Sequence, residues 1–178
     1  MSIKIGQASL GETGGRNQQP GNQTGRELNI SNWYNGRWLG ILRYKSRKKA
    51  ERAAQTCEAA IKNRNIGYDM DNRNTAYEAA RAVGWDVSRI AKPVETDCSA
   101  LMMLCAVAAG CASVEALYRR QGNSCTTYCM LHDWPATGDF ELLDGSKYLT
   151  TDANLLRGDV LVSEGHTVMA LEDGKNAE

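Results

Sequence analysis

One cysteine stands where the sequence could create a nucleophile. Cys98 follows Thr96 and Asp97, two residue types that cap helix N-termini, and it begins an apolar helical pattern that ends at Gly110. Positive partial charge at a helix N-terminus favours a thiolate, and the unpaired N–H groups there can stabilise an oxyanion. We therefore expect Cys98 to be a nucleophile with a lowered pKa, and Asp97 and Ser99 to support substrate or oxyanion binding.

A nucleophilic cysteine needs a base, and the chain has only two histidines. His166 follows Gly165 and opens a β-type run over residues 167–171, so it can face the N-terminus of a helix packed on that sheet. Its second ring nitrogen then needs an orienting acceptor. A hairpin after the turn at residues 172–175 would return Asn176 or Glu178 to His166, and the sequence leaves both open.

A second cluster of possible ligands follows the central helix. Cys125, Cys129 and His132 could bind zinc, but they give three ligands and the fourth is not evident nearby, so we expect no metal. Trp134, just beyond them, is a candidate wall of the substrate cleft. Without a secretory signal, the six cysteines favour free thiols over a disulfide framework.

Composition limits the class of protein. The 178 residues are 42% hydrophobic and carry 21 basic and 21 acidic side chains, which predicts one globular domain over residues 1–178, expected to be a monomer. Zero net charge argues against a nucleic-acid partner, and no apolar run is long enough for membrane insertion. The first ten residues do not form a secretory signal. We expect synthesis in the cytoplasm and, for action outside, release by a holin or by lysis.

Periodicity divides the chain into three parts. Residues 1–45 are rich in Gly, Asn and Gln, which predicts a loop-rich segment with short strands. Helical patterns follow over residues 46–61, 74–83, 97–109, 114–121 and 124–132, and β-type runs over residues 140–143, 159–162 and 166–171. Helices followed by strands without regular alternation predict an α+β domain with an antiparallel sheet.

Four short motifs together resemble the NlpC-type papain-like cell-wall cysteine peptidases. They are Ile66-Gly67-Tyr68-Asp69, Asp97-Cys98-Ser99-Ala100, Arg157-Gly158-Asp159-Val160-Leu161-Val162 and Gly165-His166-Thr167. The resemblance covers roughly residues 66–178. With Gln23-Thr24-Gly25 and Trp33-Tyr34 ahead of it, the whole chain is also similar to catalytic domains of phage and prophage endolysins of Gram-positive hosts.

The resemblance implies a papain-like fold, with a helical N-terminal half and a central nucleophile helix packed on the sheet. It implies hydrolysis of a peptidoglycan amide without a cofactor, by Cys98 as nucleophile and His166 as base, with Glu178 as the third residue. Tyr68, and Gln23 from the endolysin-like segment, would bind substrate or support the oxyanion. The expected bond joins D-glutamate or D-glutamine to the diamino acid. An N-acetylmuramoyl-L-alanine amidase and a non-catalytic cell-wall-binding module remain open alternatives.

Overall fold

The computed structural model describes residues 2–11, 14–16, 26–120 and 125–177. Its strands are β1 (Lys4–Ala8), β2 (Leu28–Asn32), β3 (Gly40–Tyr44), β4 (Ile66–Tyr68), β5 (Val94–Thr96), β6 (Phe140–Leu143), β7 (Val160–Ser163) and β8 (His166–Ala170). Its helices are α1 (Arg47–Lys62), α2 (Thr75–Ala82), α3 (Cys98–Ala108), α4 (Ala112–Arg120), α5 (Thr127–Asp133) and α6 (Ser146–Leu149). The predicted α+β class is confirmed. Residues 121 and 124, where two helices were predicted to end and begin, lie outside the described part.

The main sheet has six strands in the order β2-β1-β8-β7-β3-β6, and each strand is antiparallel to its neighbours. Strands β4 and β5 form a separate parallel pair. The predicted loop-rich segment therefore supplies three strands of the main sheet, and β1 lies inside it, between β2 and β8. The short strands expected in this segment are thus β1, β2 and β3, and the helices follow them. These strands are stabilised by pairing with distant parts of the chain, which short-range patterns do not report.

Helix α3 is the buried centre of the fold, as its apolar pattern predicted. Every residue from Cys98 to Ala108 is buried. The carboxylate of Asp97 caps the helix, because its Oδ1 accepts a hydrogen bond of 2.8 Å from the Ala100 N–H. Helix α3 packs against α1, α2, α4 and strand β8. The first turn of the helix is thereby held close to the strand that begins with His166.

Helix α1 covers the same face of the sheet. Its N-cap is Ser46, the first residue of the predicted helical pattern, whose hydroxyl accepts from the Lys49 N–H at 3.3 Å. The buried stripe of α1 consists mainly of alanines. Small side chains allow close approach: a Cβ on Gly158, just before β7, would lie 2.7 Å from the Ala50 carbonyl oxygen. Gly158 also has a φ of +93°, in the left-handed region that favours glycine.

A smaller core covers the opposite face of the sheet. Ile5, Ile41, Leu161 and Val168 form its centre, and Trp38 packs among them with 4% of its surface exposed. Trp38 therefore fixes the N-terminal segment to the core. The six cysteines all lie in the described part and none forms a disulfide, as expected. Within that part, no helix combines the length and apolar character that crossing a membrane requires.

Candidate active site

A tight hairpin places His166. Strands β7 and β8 pair through Ser163 and His166, which leaves a two-residue turn of Glu164 and Gly165. Gly165 has a φ of +76°, a conformation that residues with a Cβ rarely adopt. The imidazole is half-buried at the first position of β8, the strand predicted from its sequence.

Cys98 lies beside this hairpin. It is the first residue of α3, and its Sγ is 4.0 Å from the Gly165 carbonyl oxygen and accepts a hydrogen bond from the Thr167 N–H. The thiol thus contacts backbone on both sides of His166. Cys98 and His166 line one cleft of about 320 Å³. Of the residues predicted for the site, Tyr68, Asp97 and Ser99 also line this cleft.

The side chains that flank Cys98 are held by a half-buried arginine. Arg73 forms an ion pair of 2.9 Å between its Nε and Asp97 Oδ2, and its Nη2 donates to the Ser99 hydroxyl at 2.7 Å and to the Cys125 carbonyl oxygen. The Ser99 hydroxyl lies 3.2 Å from Asp97 Oδ1. Asp97 and Ser99 therefore fix the start of α3. No local pattern pointed to Arg73, because a single arginine ahead of a helix carries no signal of its partner.

The electrostatic environment keeps Cys98 protonated. Burial and the negative charge of Asp97 raise its pKa to about 11, although the N–H groups of Thr167 and Ser99 and the charge of Arg73 act in the opposite direction. This direction is opposite to the one predicted from the helix N-terminus alone. Burial also lowers the pKa of His166 below its ordinary 6.5. At neutral pH the two groups are thus a neutral thiol and a neutral imidazole.

The imidazole is contacted by a residue that the sequence did not suggest. His166 Nε2 lies 3.1 Å from Oε1 of Gln7, a buried residue of β1, the strand next to β8. The predicted return hairpin does not form: from the end of β8 to residue 177 there is no further strand, and the Asn176 N–H donates to the Ala153 carbonyl oxygen instead. Glu178 lies outside the described residues.

Two tyrosines complete the surroundings of the cysteine. Tyr68 ends β4, and its N–H donates to Glu27 Oε2 at 2.9 Å. Burial, the Cys98 thiolate that forms at high pH and the charge of Asp97 raise the pKa of Tyr68 to about 12, so its hydroxyl keeps its proton at neutral pH. Tyr34 is 38% exposed, and its hydroxyl donates to Gln7 Oε1 at 3.0 Å.

One of the predicted cleft residues lies elsewhere in the described structure. Trp134 is 2% exposed, its ring centre is 5.0 Å from that of Phe140, and it does not line the cleft. The prediction is corrected, because its large apolar surface is buried in the core beyond α5. Gln23 lies outside the described residues. In the part of the chain that is described, no group of three or more His, Cys, Asp or Glu side chains is arranged to bind a metal ion.

Comparison with protein families matches residues 5–177 to the endolysin-like domain. The matched range includes both Cys98 and His166, and also Gln7 on the first strand. No curated protein and no solved structure gives a match. An endolysin-like domain indicates a hydrolase that acts on cell-wall peptidoglycan. Its coverage of nearly the whole chain shows that this protein belongs to the endolysin-like domain family.

Proposed function

We propose that this endolysin-like domain hydrolyses an amide bond of peptidoglycan, with Cys98 as the nucleophile and His166 as the general base. The observation that carries the proposal is the single cleft that Cys98, His166 and Tyr68 line together. A cysteine at a helix N-terminus beside a histidine on an adjoining strand is the arrangement expected of an NlpC-type, papain-like cysteine peptidase. The chemistry uses no cofactor.

The neutral thiol and imidazole define the first step. As Sγ attacks the carbonyl carbon of the amide, His166 takes the thiol proton, so the nucleophile is activated only when substrate is bound. The resulting imidazolium gives this proton to the leaving nitrogen, the C–N bond breaks, and a thioester remains on Cys98. His166 then takes a proton from a water molecule that attacks the thioester. The C–S bond breaks, the imidazolium returns this proton to the departing sulfur, and the product leaves as a carboxylic acid that loses its own proton to solvent.

The oxyanion formed in these steps needs hydrogen-bond donors. The backbone N–H of Cys98 itself is the donor proposed beside the thiol, since the Ala100 N–H is already bonded to Asp97. The Tyr68 hydroxyl is a second candidate, because a pKa raised to about 12 keeps its proton available for donation. In this assignment Asp97 and Ser99 act by holding the helix start in place.

We propose the bond between D-glutamate or D-glutamine and the diamino acid as the one cleaved. The resemblance to NlpC-type peptidases supports this choice. The cleft also has an exposed arginine, Arg16, close enough to Tyr68 for its charge to offset part of the rise in the pKa of that phenol. A guanidinium suits a substrate that bears carboxylates, as stem peptides do. The amidase alternative would instead separate the peptide from the glycan.

The test is the loss of turbidity of purified Gram-positive cell walls. Cys98→Ala should reduce the clearing rate by at least about 1,000-fold, because no other group replaces the nucleophile. Cys129→Ala, a partly exposed cysteine on α5 that does not line the cleft, is the matched control and should clear walls like the wild type. Equal clearing by wild type and Cys98→Ala would refute the role of Cys98.

Mass spectrometry of the soluble fragments identifies the bond. Fragments that end in D-glutamate or D-glutamine support the endopeptidase, whereas intact stem peptides with a free L-alanine amine would show an amidase. Binding of walls without any released fragment would support the non-catalytic module.

A further inference from the structure

We infer that Gln7 is the positioning residue of His166 and fixes the imidazole as the tautomer that carries its proton on Nε2. The inference rests on the proposed function, since it concerns the base of that reaction. The residue that orients the base would thus come from β1, and not from the segment after β8 where Asn176 or Glu178 was expected. The carrying observation is the 3.1 Å contact between Gln7 Oε1 and His166 Nε2.

The direction of each hydrogen bond around Gln7 follows from the backbone carbonyl group of Arg26, which can only accept. The Asn29 side chain lies 2.8 Å from the Arg26 carbonyl oxygen, so the atom facing that oxygen must be the Nδ2 donor. Asn29 Oδ1 is then the atom that faces Gln7, at 3.2 Å, and the Gln7 atom there must be the Nε2 donor. The reverse orientation of either amide would set two acceptors or two donors against each other.

The orientation of Gln7 determines that of His166. With Nε2 of Gln7 directed to Asn29 and to the Ser31 hydroxyl at 3.2 Å, its Oε1 faces the Tyr34 hydroxyl and the imidazole. An amide oxygen accepts only, so His166 Nε2 carries a hydrogen and Nδ1 is left as the free base. Both donors and both lone pairs of the Gln7 amide are then used, in a residue that is 8% exposed.

The contact between Gln7 and His166 becomes stronger when the imidazole receives the thiol proton. Once Nδ1 takes the thiol proton, the Nε2–H group of the imidazolium donates a charge-assisted hydrogen bond to Gln7, which stabilises the developing positive charge. Because the amide is neutral, it does not favour the imidazolium in the resting site as a carboxylate would. Gln7 therefore orients the ring and leaves it unprotonated at neutral pH.

The first experiment measures the tautomer in the resting wild-type protein by long-range ¹H–¹⁵N NMR of the imidazole nitrogens. His132, the other histidine, serves as the internal reference. We expect a protonated Nε2 and an unprotonated Nδ1 on His166. A proton on Nδ1 would overturn the inference. This readout does not depend on hydrolysis, so a protein that fails to clear walls refutes the proposed function and leaves the tautomer result standing.

The second experiment compares variants in the wall-clearing assay. Gln7→Leu should lower kcat about 10- to 100-fold with KM nearly unchanged, the range for loss of a hydrogen bond to a charged group. Gln55→Leu is the matched control, because this exposed glutamine loses a 3.0 Å bond to Glu51 on the outer face of α1. Equal kcat in the two variants would overturn the inference.

Gln7→Glu covers the case in which Gln7→Leu does not fold, as judged by circular dichroism. A carboxylate at this position should stabilise the imidazolium, so the NMR titration of His166 and the acid limb of kcat should both move to higher pH. An unmoved His166 titration in folded Gln7→Glu would contradict a direct contact with the imidazole.

Discussion

The alkylation of Cys98 by iodoacetamide should be slow at neutral pH. With a pKa of about 11, set by burial and by Asp97, about one thiol in ten thousand is ionised at pH 7. An ordinary thiol with a pKa near 8.5 is about 3% ionised, or roughly 300-fold more. The greater nucleophilicity of the high-pKa thiolate recovers about tenfold, so Cys98 should react about 30-fold more slowly than free cysteine.

The assay follows the Cys98 peptide by mass spectrometry across pH 6 to 10. The rate should rise about tenfold per pH unit throughout, because the pKa lies above this range. His166→Ala should leave the rate at pH 7 unchanged while it abolishes wall clearing. A rate plateau below pH 8 that disappears in His166→Ala would reveal a preformed thiolate–imidazolium pair and refute the argument.

Asp97→Asn tests whether the charge of Asp97 raises the pKa of Cys98. Asparagine preserves a side-chain oxygen for the helix cap but removes the charge that, after burial, raises the Cys98 pKa most. The pKa should fall and alkylation at pH 7 should become faster. Asp86→Asn is the control and should have no effect, because this exposed aspartate caps the separate 3₁₀ helix Val87–Arg89. An unchanged rate in Asp97→Asn would show that its charge does not reach the thiol.

Three further outcomes follow from the site and the core. Wall clearing should decline on acidification only below pH 6.5, because burial lowers the pKa of His166 and the base must be unprotonated; a kcat/KM limb above pH 6.5 would contradict this. In urea unfolding, Gly158→Ala should lower the free energy of unfolding by about 2–4 kcal/mol, because its Cβ would clash with Ala50. Gly138 also has a positive φ but has nothing within 4 Å, so Gly138→Ala should cost only about 1 kcal/mol. Equal losses in the two variants would exclude the clash. Trp134→Ala should lower the free energy of unfolding by about 3–5 kcal/mol and leave kcat/KM of the folded protein unchanged, because the side chain is buried away from the cleft. A reduced kcat/KM would show that Trp134 acts in the cleft after all.

The elements with local signals could be predicted from the sequence. The helical pattern that starts at residue 46 and the apolar pattern behind Thr96 and Asp97 predicted α1 and α3. The β-type runs after Pro135 gave β6, β7 and β8. Each of these depends on residues within one or two turns of each other, which is the range over which side-chain periodicity carries information.

The features that were missed depend on distant partners. Gln7 meets His166 because β1 pairs with β8, and nothing near residue 7 reports that pairing. The Cys98 pKa was predicted from the helix terminus, but burial outweighs that contribution, and burial is a property of the whole fold. Trp134 was assigned to the cleft because an aromatic residue after a helix has no periodicity to show which way it faces.

The central position of β1 also determines when the site can exist. Gln7 and His166 are 159 positions apart in the chain, and the strand that carries His166 pairs with β1 only after nearly all of the domain has been synthesised. Contacts between such distant segments form late and slow the folding of a domain. A nascent chain that has not yet reached β8 therefore has Cys98 but no base beside it. The activity proposed for this cleft would be delayed until the whole domain has been synthesised and has folded, which protects the cell from any damage by incomplete chains.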